Sequence, residues 1–114
     1  MEDLLIDIVS KFGYPVLRQG SLAPDDPYPE HFFTFWNNSS DGDGFYDNSE
    51  TRTIWDFDLN FYSVNPLLTY SKLIDAKTEL KNAGFIVSGK GYDVATDEPT
   101  HTGRGINILY IENN

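Results

Sequence analysis

The chain has no cysteine, one methionine and two histidines, and its 8 basic residues stand against 18 acidic ones. Without cysteine there is no disulfide framework, no thiolate zinc site and no cysteine nucleophile. His31 and His101 lie seventy positions apart, far from any zinc-type spacing. The net charge of −10 repels phosphate backbones, so sequence-independent affinity for DNA or RNA is not expected. No apolar run reaches the roughly 18–20 residues that cross a bilayer, and no membrane association is expected. The segment Met1–Asp7 is acidic and lacks the basic start and long apolar run of a signal peptide, which points to a reducing cytoplasm. There is no internal repeat and no low-complexity linker, and 114 residues fit one domain, 1–114.

What the chain does have is rings and acids. Eight Phe, seven Tyr and two Trp make 15% of the residues, within a hydrophobic fraction of 39%. Disordered chains lack such residues, because they cannot bury enough surface to offset chain entropy, so an ordered core built on large rings follows. Residues 20–60 hold nine acids (Asp25, Asp26, Glu30, Asp41, Asp43, Asp47, Glu50, Asp56 and Asp58) against the single base Arg52. Part of the surface is therefore strongly negative, either as a solubility surface or as a functional acidic face.

Periodicity gives the elements. Leu4, Leu5, Ile8, Val9 and Phe12 follow one helical face over about residues 3–12, with Asp3 as cap, Gly13 as terminator and Tyr14-Pro15 blocking continuation. The proline-rich stretch 20–30 reads as loop. The ring-dense run 31–37 reads as a strand, and Asn37–Asn48 as a polar, glycine-bearing loop. Thr53–Tyr62 is the clearest strand: Trp55, Phe57, Leu59 and Phe61 alternate with Asp56, Asp58 and Asn60, so a one-residue slip would bury the acids. Asn65 caps a helix with Pro66 at its first position, Leu73, Ala76, Leu80 and Ala83 on one face, and Lys77 and Lys81 near its negative end. Gly84 supplies the left-handed residue after it, with Phe85 folding back on Leu80. Strands near 85–95 and 104–112 follow, joined by the polar stretch Thr96–Gly103. The expected fold class is α+β in the order α-β-β-α-β-β, an antiparallel sheet with two helices packed on one face. Trp55, Phe57, Leu59, Phe61, Leu73, Leu80, Ile106 and Ile108 form the expected core.

Chemical motifs are weak. Asp41-Gly42-Asp43-Gly44-Phe45-Tyr46-Asp47 suggests a calcium loop, but the fifth position is Phe45 and the twelfth, which needs a bidentate Glu, is Arg52. No elbow signature marks a nucleophilic serine. Gly103-Arg104-Gly105 and Ser88-Gly89-Lys90-Gly91 lack the spacing of a phosphate loop and read as strand-end turns or bulges. Asp56 and Asp58 share a strand face and could serve acid/base chemistry if buried, but they alternate with the rings and are expected to be solvated. No metal, no cofactor and no catalytic residues are expected, and the chain is not expected to be an enzyme. The strands 31–37 and 104–112 carry apolar residues on both faces, which asks for a protein partner or a second sheet. Loops 37–51 and 96–104 exceed the length hairpins need, a feature of functional loops. They supply the candidate partner-interface residues Asp41, Asp43, Phe45, Tyr46, Asp47, Asp97, Glu98, His101 and Arg104.

The run Phe12-Gly13-Tyr14-Pro15, the block from Tyr28 to Asn37, Ile54-Trp55 leading into Phe61-Tyr62-Ser63, the helix ending from Leu80 to Phe85, and His101-Thr102-Gly103 together resemble small proteins from the structural gene clusters of long-tailed phages and prophages. The chain is similar to tail-completion proteins (head–tail joining, tail-terminator-like) over about residues 12–112. The resemblance implies a structural virion protein, assembled in the host cytoplasm, that caps the tail tube or joins tail to head connector as a homo-oligomeric, usually six-fold ring. A negative lumen would let DNA slide through without sticking. The family motif fixes no contact residues. The alternative function is an acidic phage-encoded inhibitor that mimics DNA and binds a basic host protein.

Overall fold

The computed structural model describes residues 2–18, 29–43, 52–87, 89, 91–94 and 100–113, with 2, 39–43 and 113 as backbone only. Helix α1 runs Glu2–Val9, and a 3-10 turn, Ser10–Phe12, carries it to Gly13, whose φ of 83° ends it in the left-handed region. Asp3 lies inside α1 instead of capping it. The chain then forms β1 (Val16–Arg18), β2 (His31–Asp43), β3 (Arg52–Ser63), α2 (Pro66–Asn82), β4 (Ile86–Val87), β5 (Tyr92–Val94) and β6 (Thr102–Asn113).

The described residues thus combine two helices with a six-stranded sheet of order β1-β2-β3-β6-β4, in which β5 also pairs with β6. The expected order α-β-β-α-β-β is corrected by two additions. Strand β1 precedes the first hairpin and pairs parallel to β2, Val16 opposite Phe33, so the sheet is not wholly antiparallel. Three residues after a proline are too few to carry a period-two pattern, which is why β1 is not legible in the sequence. The strand expected near 85–95 divides into β4 and β5, because Gly89 and Gly91 sit at φ 74° and 88° between them. A Cβ at Gly91 would lie 2.6 Å from the Gly105 carbonyl oxygen, so glycine also permits the close approach to β6.

A further correction concerns the loop expected from Asn37. Strand β2 continues to Asp43, opposite Arg52, with its register shifted between Asn37 and Ser39. Asn, Ser and Gly are poor strand formers, but the long alternating β3 offers a ladder of backbone partners and local propensity yields to it. Strand β3 pairs with β2 on one side and with β6 on the other, over its full length from Arg52 to Ser63.

Helix α2 is built as its sequence dictates. The Asn65 side chain accepts the Leu67 N–H, and Pro66 occupies the first turn. At the other end the Gly84 N–H reaches the Lys81 carbonyl and the Phe85 N–H the Leu80 carbonyl at 3.0 Å, a Schellman closure with Gly84 at φ 102°.

Phe33, Phe35, Phe57, Leu59, Phe61, Ile106 and Ile108 join Leu5, Ile8 and Val9 of α1 and Leu73, Ala76 and Leu80 of α2 in one buried cluster. Phe33 and Phe61 meet at 4.5 Å between ring centroids. Of the expected core residues only Trp55 is no more than partly buried; its indole packs at the cluster's margin, 6.1 Å from the Phe57 ring, and donates to Glu112.

Candidate functional site

Two surfaces stand apart from the core. The first is a cleft of about 440 Å³ where the N-terminus of α2 meets the start of β6, lined by Pro66, Thr69, Tyr70, Asp93, His101 and Arg104 among others. The chain enters α2 through a close polar network. The buried Ser63 hydroxyl accepts the Asn65 N–H at 2.9 Å and lies 2.7 Å from His31 Nδ1. Thr69 and Thr102 hydroxyls are 2.9 Å apart, and they donate to the carbonyls of Asn65 and Ser63 respectively. Although Ser63 and His31 are in contact, Ser63 has no exposed surface, so this pairing fixes the strand-to-helix corner and offers nothing to a substrate.

His101 and Arg104, two of the residues expected from sequence, come together here. His101 Nε2 donates to the Pro29 carbonyl at 2.8 Å, which fixes Nε2 as the protonated nitrogen; Nδ1 faces the Thr100 hydroxyl at 3.0 Å. Arg104 bonds the Asp93 carboxylate at 2.9 Å, donates to the Gly91 carbonyl and stacks on the Tyr70 ring, 5.3 Å from its centroid. Beside the cleft Leu67 is 81% exposed, with Val64 and Tyr70 also open to solvent. Leu67 falls off the Leu73, Ala76, Leu80 stripe, so helical periodicity could have found it.

The second surface is the sheet face opposite the core, where the alternate residues of each strand point. Asn107 Nδ2 bridges Asp56 at 2.6 Å and Asp58 at 3.2 Å, and the Tyr92 hydroxyl donates weakly to Asp58 at 3.5 Å. Burial first, then the negative charge and hydrogen bond of Asp58 and the charge of Asp56, push the Tyr92 hydroxyl above its ordinary pKa. Trp36, directly across from Asp58, is 49% exposed, and Tyr92 is 45% exposed. Ile86 and Ile111 add exposed apolar surface on the same side, by their pairing with Leu109 and Ile54. Sequence marked Asp56 and Asp58 and the ring excess on 31–37; Tyr92 carried no signal, since only the sheet brings it beside them. Among the described residues no second sheet covers this face.

The remaining expected interface residues do not gather at one place. Asp41 and Asp43 are strand residues of β2, opposite Ile54 and Arg52. Phe45, Tyr46, Asp47, Asp97 and Glu98 lie outside the described residues. In the register of the sheet, Asp43 and Arg52 mark one end of β3, whereas His31, Ser63 and Thr102 mark the other. At about 3.3 Å per residue those ends are roughly 35 Å apart, so the Asp41–Asp43 segment and the His101–Arg104 cleft lie at opposite ends of the sheet. Among the described residues no three His, Asp or Glu side chains gather as they would around a metal ion. No helix among them is long and apolar enough to cross a membrane.

No protein-family model matches the chain, and no curated protein matches it.

Proposed function

We propose that this chain is a structural assembly protein of long-tailed phage particles, made in the host cytoplasm and incorporated into the virion, that caps the tail tube or joins it to the head connector as a ring. The observation that carries the proposal is the separation of surfaces: a rigid sheet of strands up to 13 residues long holds the Asp41–Asp43 segment at one end and the His101–Arg104 cleft at the other. A joining protein needs two docking ends held at fixed distance. The hydrogen-bonded side chains of the cleft and the exposed Leu67 and Tyr70 beside it suit recognition. We also read both helices as covering a single face of the sheet, because both contribute to one cluster with its strands, which frees the other face for a neighbouring subunit. The acid excess suits a ring through which DNA passes without sticking.

The test is to add purified protein to isolated tail tubes and to connector complexes and to image them by electron microscopy. Density at one tube end or on the connector, in rings of several copies, is expected. Absence of binding to both would overturn the proposal.

The DNA-mimic alternative draws on the neighbouring carboxylates Asp56 and Asp58, whereas Asp93 lies by its register on the opposite face, the one that carries Phe61, and is paired with Arg104. A host-lysate capture that returned a nucleic-acid enzyme in stoichiometric complex would favour that alternative.

A further inference from the structure

The charges of this protein are distributed with a polarity that the sequence order conceals. Three of its five lysines, Lys72, Lys77 and Lys81, lie on α2, against Asp75 and Glu79 in the same helix. Lys72 pairs with Asp75 at 3.7 Å, and Lys77 and Lys81 line, with Tyr70, Ile74 and Asp75, a groove of about 500 Å³ on the helix's outer side. Lys77 donates to the Gly89 carbonyl. The inner side of α2 is sealed by Leu73, Ala76 and Leu80 against Phe57, Leu59 and Phe61. Asp56 and Asp58 alternate with those rings on β3, so they point out of the other side of the sheet, with Trp36 and Tyr92 exposed around them. A basic, partly apolar stripe and an acidic, aromatic face therefore look in opposite directions from one molecule.

We propose that copies of this chain associate head to tail, the Lys77–Lys81 stripe of α2 in one copy seating on the Asp56–Asp58 face of the next. Each patch finds its complement in the same chain and on its opposite side, so the contact is heterologous, and such contacts close into rings when the rotation per step permits. The occupant is a second copy because the complementary charge is already present in this chain, which carries 18 acidic residues against 8 basic ones. Principal extents of 53 × 29 Å give a broad side large enough for the roughly 800 Å² per partner of a standard interface. This deepens the ring reading above, but the association itself does not depend on a phage partner.

Sedimentation velocity on the full chain tests it, with circular dichroism confirming the fold of each variant. The wild type is expected to self-associate with rising concentration and to dissociate with added salt. Asp56→Lys with Asp58→Lys, and separately Lys77→Glu with Lys81→Glu, should each weaken association by about tenfold or more. An equimolar mixture of the two charge-reversed proteins should recover it, as should one chain carrying all four changes. If a reversed variant loses its fold, Asp58→Asn and Lys81→Gln take its place, with a smaller loss expected. A wild type that remains monomeric overturns the inference. So does association insensitive to these changes, or a mixture that does not recover. A wild type that associates independently of charge, yet still decorates tail tubes, would remove this interface and leave the assembly function standing.

Discussion

The two faces of one sheet are treated in opposite ways in this protein. On the core face, Phe33, Phe57, Phe61 and Leu59 are fully buried with residues of both helices. On the other, Asp56, Asp58, Asn107 and Tyr92 are tied together by side-chain hydrogen bonds, and Trp36 and Tyr92 are open to solvent. The strands supply both faces from the same backbone, so the difference comes from side chains and from what covers them. The largest buried side chains, Phe33, Phe57 and Phe61, lie on the first face, while Phe32, Thr34 and Asn60 are buried among the residues that alternate with them.

Mutations can break this contrast. Phe57→Ala and Leu80→Ala should each cost about 2–5 kcal/mol, from lost burial and the cavity left behind. Trp36→Ala should cost less than about 1 kcal/mol despite removing a larger ring, because that ring already meets water. Chemical denaturation of the three variants checks this; equal losses would show that the second face is as structural as the first. Gly105→Ala is expected to cost about 1–3 kcal/mol, because a Cβ there would lie 2.2 Å from Asn60 Oδ1 and the cross-strand side chain must shift. Asn65→Ala, which removes the cap accepting the Leu67 N–H, should cost about 1 kcal/mol by the same measurement.

Two smaller effects sharpen the contrast. The Thr34 hydroxyl is buried and has no hydrogen-bond partner among the described residues, so Thr34→Val should stabilise by a few tenths to about 1 kcal/mol. A loss of stability would mean the hydroxyl is satisfied. The last concerns Tyr92, whose folded pKa is raised above 10.0. Its folded state holds the proton more tightly than the unfolded chain does. Its contribution is therefore complete below pH 10.0 and lost as pH rises through the folded value. Melting temperature should fall less steeply above pH 10.0 in Tyr92→Phe than in the wild type. Asp58→Asn should bring the phenolate absorbance transition down part of the way, since burial remains.

Much of the fold follows from the sequence through local rules. The alternation of Trp55, Phe57, Leu59 and Phe61 set β3 and its register, and Asn65-Pro66 and Gly84 set both ends of α2, because periods and caps act over a few residues. The site was legible only in pieces. His101 and Arg104 were found as loop-end polar residues, and Asp56 and Asp58 as same-face acids, yet their roles depend on Asp93, Tyr70, Tyr92 and Asn107, which are distant in the chain. Other features were decided by tertiary structure alone. Parallel β1 exists because β2 offers it an edge, β2 reaches Asp43 because β3 continues to pair with it, and β4 and β5 divide because glycines 89 and 91 turn the backbone between two stretches of β6. Each rests on backbone hydrogen bonds between segments far apart in sequence, and such pairing is set by which edges the folded sheet presents.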